Sequence, residues 1–126
     1  MTAFVYFRTD EGRFAVPVEA TRVVRLPTGL VTVPEQRNDI AGVLPGEPPL
    51  TVLTVLGRGG DHVLVLETAR GRFGLQVREV LGVKRVADDA LLPAPEGQND
   101  GLFTNTVVDD GSLVFIIDPD RLAARL

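Results

Sequence analysis

Residues 9–18 read TDEGRFAVPV, and residues 68–77 read TARGRFGLQV. Taking the glycine of each GRF as a marker, Gly12 and Gly71 lie 59 positions apart. Extending the comparison to residues 9–25 against 68–84 gives six identities in 17 pairs: Thr9/Thr68, Gly12/Gly71, Arg13/Arg72, Phe14/Phe73, Val18/Val77 and Val24/Val83. Val16/Leu75 and Arg25/Lys84 are conservative pairs between them. One repetition points to two similar halves, because a solenoid needs at least three stacked units to bury its core.

Each copy reads as a β-hairpin. In the first, Phe14, Val16 and Val18 alternate with Arg13, Ala15 and Pro17 after a turn at Asp10-Glu11-Gly12, the period-two pattern of a strand with one apolar face. In the second, Phe73, Leu75 and Val77 alternate with Arg72, Gly74 and Gln76. The arm before it, VLVLE, is apolar on both faces and suits a central strand. A third hairpin runs over residues 102–117 and turns at Asp109-Asp110-Gly111-Ser112, Asp-Gly being a strong turn signal. Residues 50–56 read as one more buried strand. Pro27, Pro34, Pro45, Pro48, Pro49, Pro93 and Pro95 stop any helix from running through them. Helix is therefore expected only in short pieces, best at the C-terminus, where Asp118 can cap and Pro119 suits the first helical position. The expected fold is all-β: two packed five-stranded barrels or one sandwich, with Phe14 and Phe73 as core anchors.

Composition narrows function mainly by exclusion. The 126 residues are 44% hydrophobic and 24% charged, as in soluble globular domains. Thirteen basic against 17 acidic side chains leave a net charge of -4, with no basic run longer than Lys84-Arg85. Nucleic acid and anionic membranes are poor partners for such a chain. There is no cysteine, so no disulfide or thiolate metal site is available, and a reducing cytosol fits. Nothing approaches the roughly 20 apolar residues of a membrane helix, and no leader pattern stands at the N-terminus. A soluble, cytoplasmic protein without membrane insertion is the expectation.

Candidates for chemistry are few. Ser112 is the only serine, His62 the only histidine and Lys84 the only lysine. Ser112 sits in a turn whose composition the turn explains, and His62 opens a strand. The pairs Asp88-Asp89, Asp109-Asp110 and Asp118/Asp120 match no calcium loop. The segment Gly57-Arg58-Gly59-Gly60 lacks the Lys-Ser/Thr of a phosphate loop and leads into a strand. Arg13 and Arg72 read as solubilising residues. No catalytic group, metal or cofactor is expected.

In order along the chain stand AFVYF, GRFAVPVEATRVVRLP, VPEQRNDIAGV, HVLVLET, GRFGLQVREVLGV, LLPAPE and GSLVFIIDPDRL. Together they resemble the CheW-like family of bacterial chemotaxis coupling proteins over residues 3–122. That resemblance implies a single CheW-like domain over residues 1–126, built as two packed five-stranded SH3-like β-barrels with a short C-terminal helix. It implies a non-enzymatic adaptor joining the cytoplasmic tip of a methyl-accepting chemoreceptor to the SH3-like regulatory domain of a CheA-type histidine kinase. One barrel end would dock the kinase, and an apolar groove between barrels would take the receptor's helical hairpin. The implied protein-binding residues are Val18, Val23, Val24, Gly42, Val43, Leu44 and Val83. The chain also departs from the family: the common Gly-Val-x-Asn-Leu-Arg-Gly run is replaced by Gly42-Val43-Leu44-Pro45-Gly46-Glu47. The arginine is missing, and the three prolines of residues 44–49 would stiffen the groove rim. A divergent scaffold that binds one partner only, in another motility or sensory pathway, is the alternative.

Overall fold

The computed structural model of the chain describes residues 1–32, 39–97 and 101–126. The stretch VPEQRN within the third resemblance motif, with Pro34, lies outside the described residues. The first hairpin pairs β1 (Thr2–Thr9) with β2 (Gly12–Pro17), in a register from Phe4↔Pro17 to Thr9↔Gly12. A short 3-10 turn, Val18–Ala20, leads to β3 (Thr21–Arg25), and after it come β4 (Ile40–Leu44) and β5 (Leu50–Leu53). The second copy gives β6 (His62–Thr68), β7 (Gly71–Val77) and β8 (Glu79–Val86). The two-residue β9 (Leu92–Pro93), then β10 (Phe103–Asp109), β11 (Ser112–Ile117) and helix α1 (Pro119–Ala123) complete the chain.

The repeat becomes meaningful in the sheet order. One sheet runs β8-β1-β2-β11-β10-β9, the other β3-β6-β7-β5-β4. The strand after each GRF hairpin therefore leaves its own sheet: β3 pairs antiparallel with β6 of the second copy, and β8 with β1 of the first. Each hairpin is next joined in parallel by a strand from the other half of the chain, β2 by the later β11 and β7 by the earlier β5. The positions match one to one, so the two halves of the chain have exchanged strands reciprocally. The chain adopts two SH3-like lobes with one C-terminal helix, as the resemblance implied. The little β9 adds a sixth strand to one sheet.

Alternation along the hairpins divides the apolar residues among three clusters. Val5, Phe7, Phe14 and Val16 of the first copy meet Leu64, Leu66, Phe73 and Leu75 of the second in a layer shared by both sheets. On the opposite faces, Phe4, Tyr6, Ala15, Val86, Val107, Val114 and Ile116 fill the first lobe. Leu44, Leu50, Val52, Val63 and Val65 fill the second. Phe14 and Phe73 are both buried, and Phe14 stacks on Phe7 at 5.9 Å and Phe103 at 6.0 Å. Burying a side chain of this size contributes about 2–3 kcal/mol, so these two phenylalanines anchor the shared layer from both lobes.

Local chemistry sets the ends of the elements. Asp110 and Gly111 have φ of 50° and 75°, the two positive angles a two-residue hairpin turn needs. Asp118 Oδ1 accepts a hydrogen bond from the Asp120 N–H at 2.9 Å, and Pro119 follows at the first position of α1. The helix closes at Ala123. The expected strand over residues 50–56 ends at Leu53, because the Gly57 N–H bonds the Thr54 carbonyl in a turn. The Thr9 hydroxyl donates to the Leu56 carbonyl at 2.6 Å, tying that turn to the first hairpin.

Candidate functional site

The shared layer reaches solvent along the two edge strands. β3 and β8 are edge strands at equivalent places in the two sheets. Val24 lies opposite Leu64 and Val83 opposite Val5. Residues directly opposite in an antiparallel pair share a face, so both valines extend the face that forms the shared layer. They are 46% and 60% exposed. Val18, in the 3-10 turn where the chain crosses between lobes, is 37% exposed. Two of the expected binding residues thus lie along the outer margin of one apolar layer, with Val18 exposed in the turn between lobes.

The other four lie elsewhere. Val23 points to the opposite face of β3 and, with Arg25, Leu50, Val65, Arg72 and residues 45–49, lines an open pocket of about 330 Å³. The stiff proline segment therefore stands beside Val23, on the other side of β3 from Val24. Leu44 is fully buried in the second lobe. Gly42 is buried too, and a Cβ there would strike the Val31 carbonyl. Val43 exchanges backbone hydrogen bonds with Val31 at 2.8 and 2.9 Å. These last three residues shape β4; Gly42 and Leu44 are buried and Val43 is only partly exposed.

Ion pairs tie the edge strands to their neighbours. Arg8 Nε lies 3.0 Å from Glu79 Oε1 between β1 and β8. Glu67 is held by Arg72 at 2.7 Å and by Arg22 of β3 at 3.3 Å. The hydrogen bond from Arg72, with Arg22 beside it, keeps its carboxyl below the usual value. Asp109 Oδ2 sits 2.8 Å from Lys84 Nζ and 2.9 Å from Arg13 Nη2. The Lys84 hydrogen bond, then that of Arg13, lowers the Asp109 carboxyl in the same way. Lys84 also stands 5.2 Å over the Tyr6 ring, a cation–π arrangement. Burial, reinforced by the Asp109 charge, raises the Tyr6 hydroxyl.

Asp109 of β10 thus clamps Arg13 of β2 and Lys84 of β8, which makes Arg13 a structural rather than a solubilising residue. Its counterpart Arg72, more exposed, works within the second lobe. Sequence reading missed this difference because Asp109 lies 96 positions from Arg13. It also assigned no strand to residues 21–25 or 79–86, whose short apolar runs are interrupted by charge.

Among the described residues no group of three or more His, Cys, Asp or Glu could hold a metal. His62 Nδ1 is 3.2 Å from the Arg78 carbonyl, at the crossing from β7 to β8. Among the described residues no helix is long and apolar enough to cross a membrane.

Comparison with known proteins agrees with this geometry. The profile of the CheW-like domain family matches residues 44–126. Curated protein sequences give no match. Among solved structures, the crystal structure of the scaffolding protein TtCheW from Thermoanaerobacter tengcongensis is similar, with a TM-score of 0.81. The superposition covers 93% of this chain and 88% of that one at 17% identity.

Proposed function

The chain belongs to the CheW-like domain family, non-enzymatic scaffolds of chemotaxis signalling, and on that premise we propose that it couples a chemoreceptor tip to a histidine kinase in the cytoplasm. In this reading residues 1–126 act as one CheW-like domain. The observation that carries it is the pair Val24 and Val83, which continue the shared core layer into solvent from both lobes at once. A helical hairpin binds such a margin through apolar anchors, with charged groups on the rim fixing its orientation. The Arg8–Glu79 and Arg22–Glu67 pairs sit on the two edge strands that carry these valines. Exposed apolar residues clustered this way mark an interaction site on a soluble protein.

The kinase regulatory domain, itself SH3-like, would dock at a lobe end. The pocket formed by Val23, Arg25 and residues 45–49 is a candidate for that contact. Its apolar floor of Leu50 and Val65 and its arginine rim suit a partner presenting an apolar side chain beside a carboxylate.

The test is a pair of binding titrations with purified protein, one against the regulatory domain of a histidine kinase from the same genome and one against a receptor tip fragment. Binding to both is expected. Binding to one alone would replace coupling by a single-partner scaffold in another sensory pathway, and binding to neither would end the proposal.

A further inference from the structure

Strand pairing fixes the order of side chains along the pocket beside Val23. On β6, Val63 and Val65 face the interior of the second lobe, and Glu67, two residues on, shares their face. Arg25 of β3 lies opposite Val63 and Arg72 of β7 lies opposite Glu67, so both arginines rise on that same face. Between them the floor is apolar, made by Val23, Leu50 and Val65. Read along β6, the pocket is cation, apolar, cation, with the cations four residues apart, or about 13 Å at the rise of a strand.

The charge of the site is not cancelled from within. Arg25 is exposed and makes no ion pair among the described residues. Arg72 donates from Nε to Glu67 at 2.7 Å, but Glu67 is shared with Arg22, so two guanidinium groups stand against one carboxylate. Glu47, on the proline wall, is the one acidic lining residue among those described. An excess of positive charge therefore remains here, in a chain whose net charge is -4, and it is complementary to an acidic guest.

We infer that the pocket takes an extended segment of the docked kinase domain with the pattern acidic-x-apolar-x-acidic. The apolar side chain enters over Val65, and the two carboxylates reach Arg25 and Arg72. This deepens the kinase-docking reading above and rests on it. An extended chain shows every second side chain on one face, so its residues i, i+2 and i+4 span the same distance of about 13 Å as the two arginines do along β6. In a helix, residues i and i+4 are only about 6 Å apart along the axis and fall short of that spacing. The wall opposite carries Pro45, Pro48 and Pro49, whose fixed φ angles hold it in shape before a guest arrives and so lower the ordering cost of binding. Glu47 on that wall repels a carboxylate, which turns the guest's acidic side chains toward β3 and β7.

The test titrates the regulatory domain of a histidine kinase from the same genome against the full chain and its Arg25→Glu variant, and repeats the wild-type titration with a competitor. The competitor is the capped peptide Gly-Glu-Thr-Leu-Thr-Glu-Gly at millimolar concentration, and its control has Gln in place of both Glu. Arg25→Glu should weaken domain binding at least about tenfold while melting like wild type, since Arg25 makes no ion pair in the free protein. The acidic peptide should displace the domain and the Gln peptide should not. Domain binding that is indifferent to Arg25→Glu, an acidic peptide that fails to compete, or a Gln peptide that competes equally well would each overturn the inference and leave kinase docking standing. No binding of the domain to wild type would end both.

Discussion

Val24 and Val83 occupy the same position in the two copies of the repeat, and each lies opposite a residue of the shared core layer, Leu64 for one and Val5 for the other. Neither is in its own copy's sheet. The two identical residues are carried by the two strands that change lobes, so strand exchange brings the shared apolar layer to solvent at equivalent places.

A charge at either position should therefore damage binding without damaging the fold. Val24→Asp and Val83→Asp are surface changes expected to alter stability by no more than about 0.5 kcal/mol. Each should weaken binding of a receptor tip fragment by at least about tenfold, or about 1.4 kcal/mol. Titration calorimetry alongside thermal melting separates the two effects. Unchanged affinity in both variants would remove the margin from the proposed docking surface.

Leu44 should behave in the opposite way. Its side chain is fully buried in the second lobe, and truncation of such a leucine costs about 2–5 kcal/mol. Leu44→Ala should lower the denaturant midpoint strongly, and any loss of binding should track the fraction unfolded. A stable variant that fails to bind would return Leu44 to the interface.

Position 74 exposes how differently the two copies are packed. Ala15 is buried in the first lobe, but at its counterpart Gly74 a methyl would come within 2.5 Å of Val63 Cγ1 and 3.3 Å of Val52 Cγ2. Gly74→Ala is expected to destabilise by about 1–3 kcal/mol through overpacking. Chemical denaturation measures it directly, and a neutral or stabilising result would show that Val63 can move aside.

The two clamped carboxylates give a signed pH dependence. Asp109 is lowered by Lys84 and Arg13, and Glu67 by Arg72 and Arg22. A carboxyl whose folded value is depressed stabilises the fold above its unfolded value of about 4, and that contribution fades as pH falls through the folded value. Between about pH 5 and about pH 3 the wild type should therefore lose more melting temperature than the variant Asp109→Asn/Glu67→Gln. Parallel curves would mean the clamps are screened by solvent.

Because each lobe takes strands from both halves of the chain, the halves should hold together without a covalent link. A protease site inserted after Arg58, in the exposed turn between β5 and β6, allows the folded protein to be cut there. The nicked protein should elute from gel filtration at the intact mass and separate only in denaturant. Fragments that part under native conditions would contradict the exchange of β3 and β8.

What the sequence determined by itself was local or periodic. The GRF hairpins, the Asp110-Gly111 turn, the buried Phe14 and Phe73 and the Asp118-Pro119 helix start all follow from backbone preferences and two-residue alternation within a few positions of each other. The family motifs carried the architecture further, to two lobes. Tertiary structure alone decided where β3 and β8 belong, since a short edge strand takes its identity from the strand beside it, and here that neighbour lies in the other copy of the repeat. It also decided that Val24 and Val83 face the margin while Val23 faces a pocket and Leu44 the interior. Four valines and leucines of similar hydrophobicity have no mark in their own sequence that distinguishes a docking surface from a core; register and lobe exchange, set by contacts dozens of residues away, assign each its side.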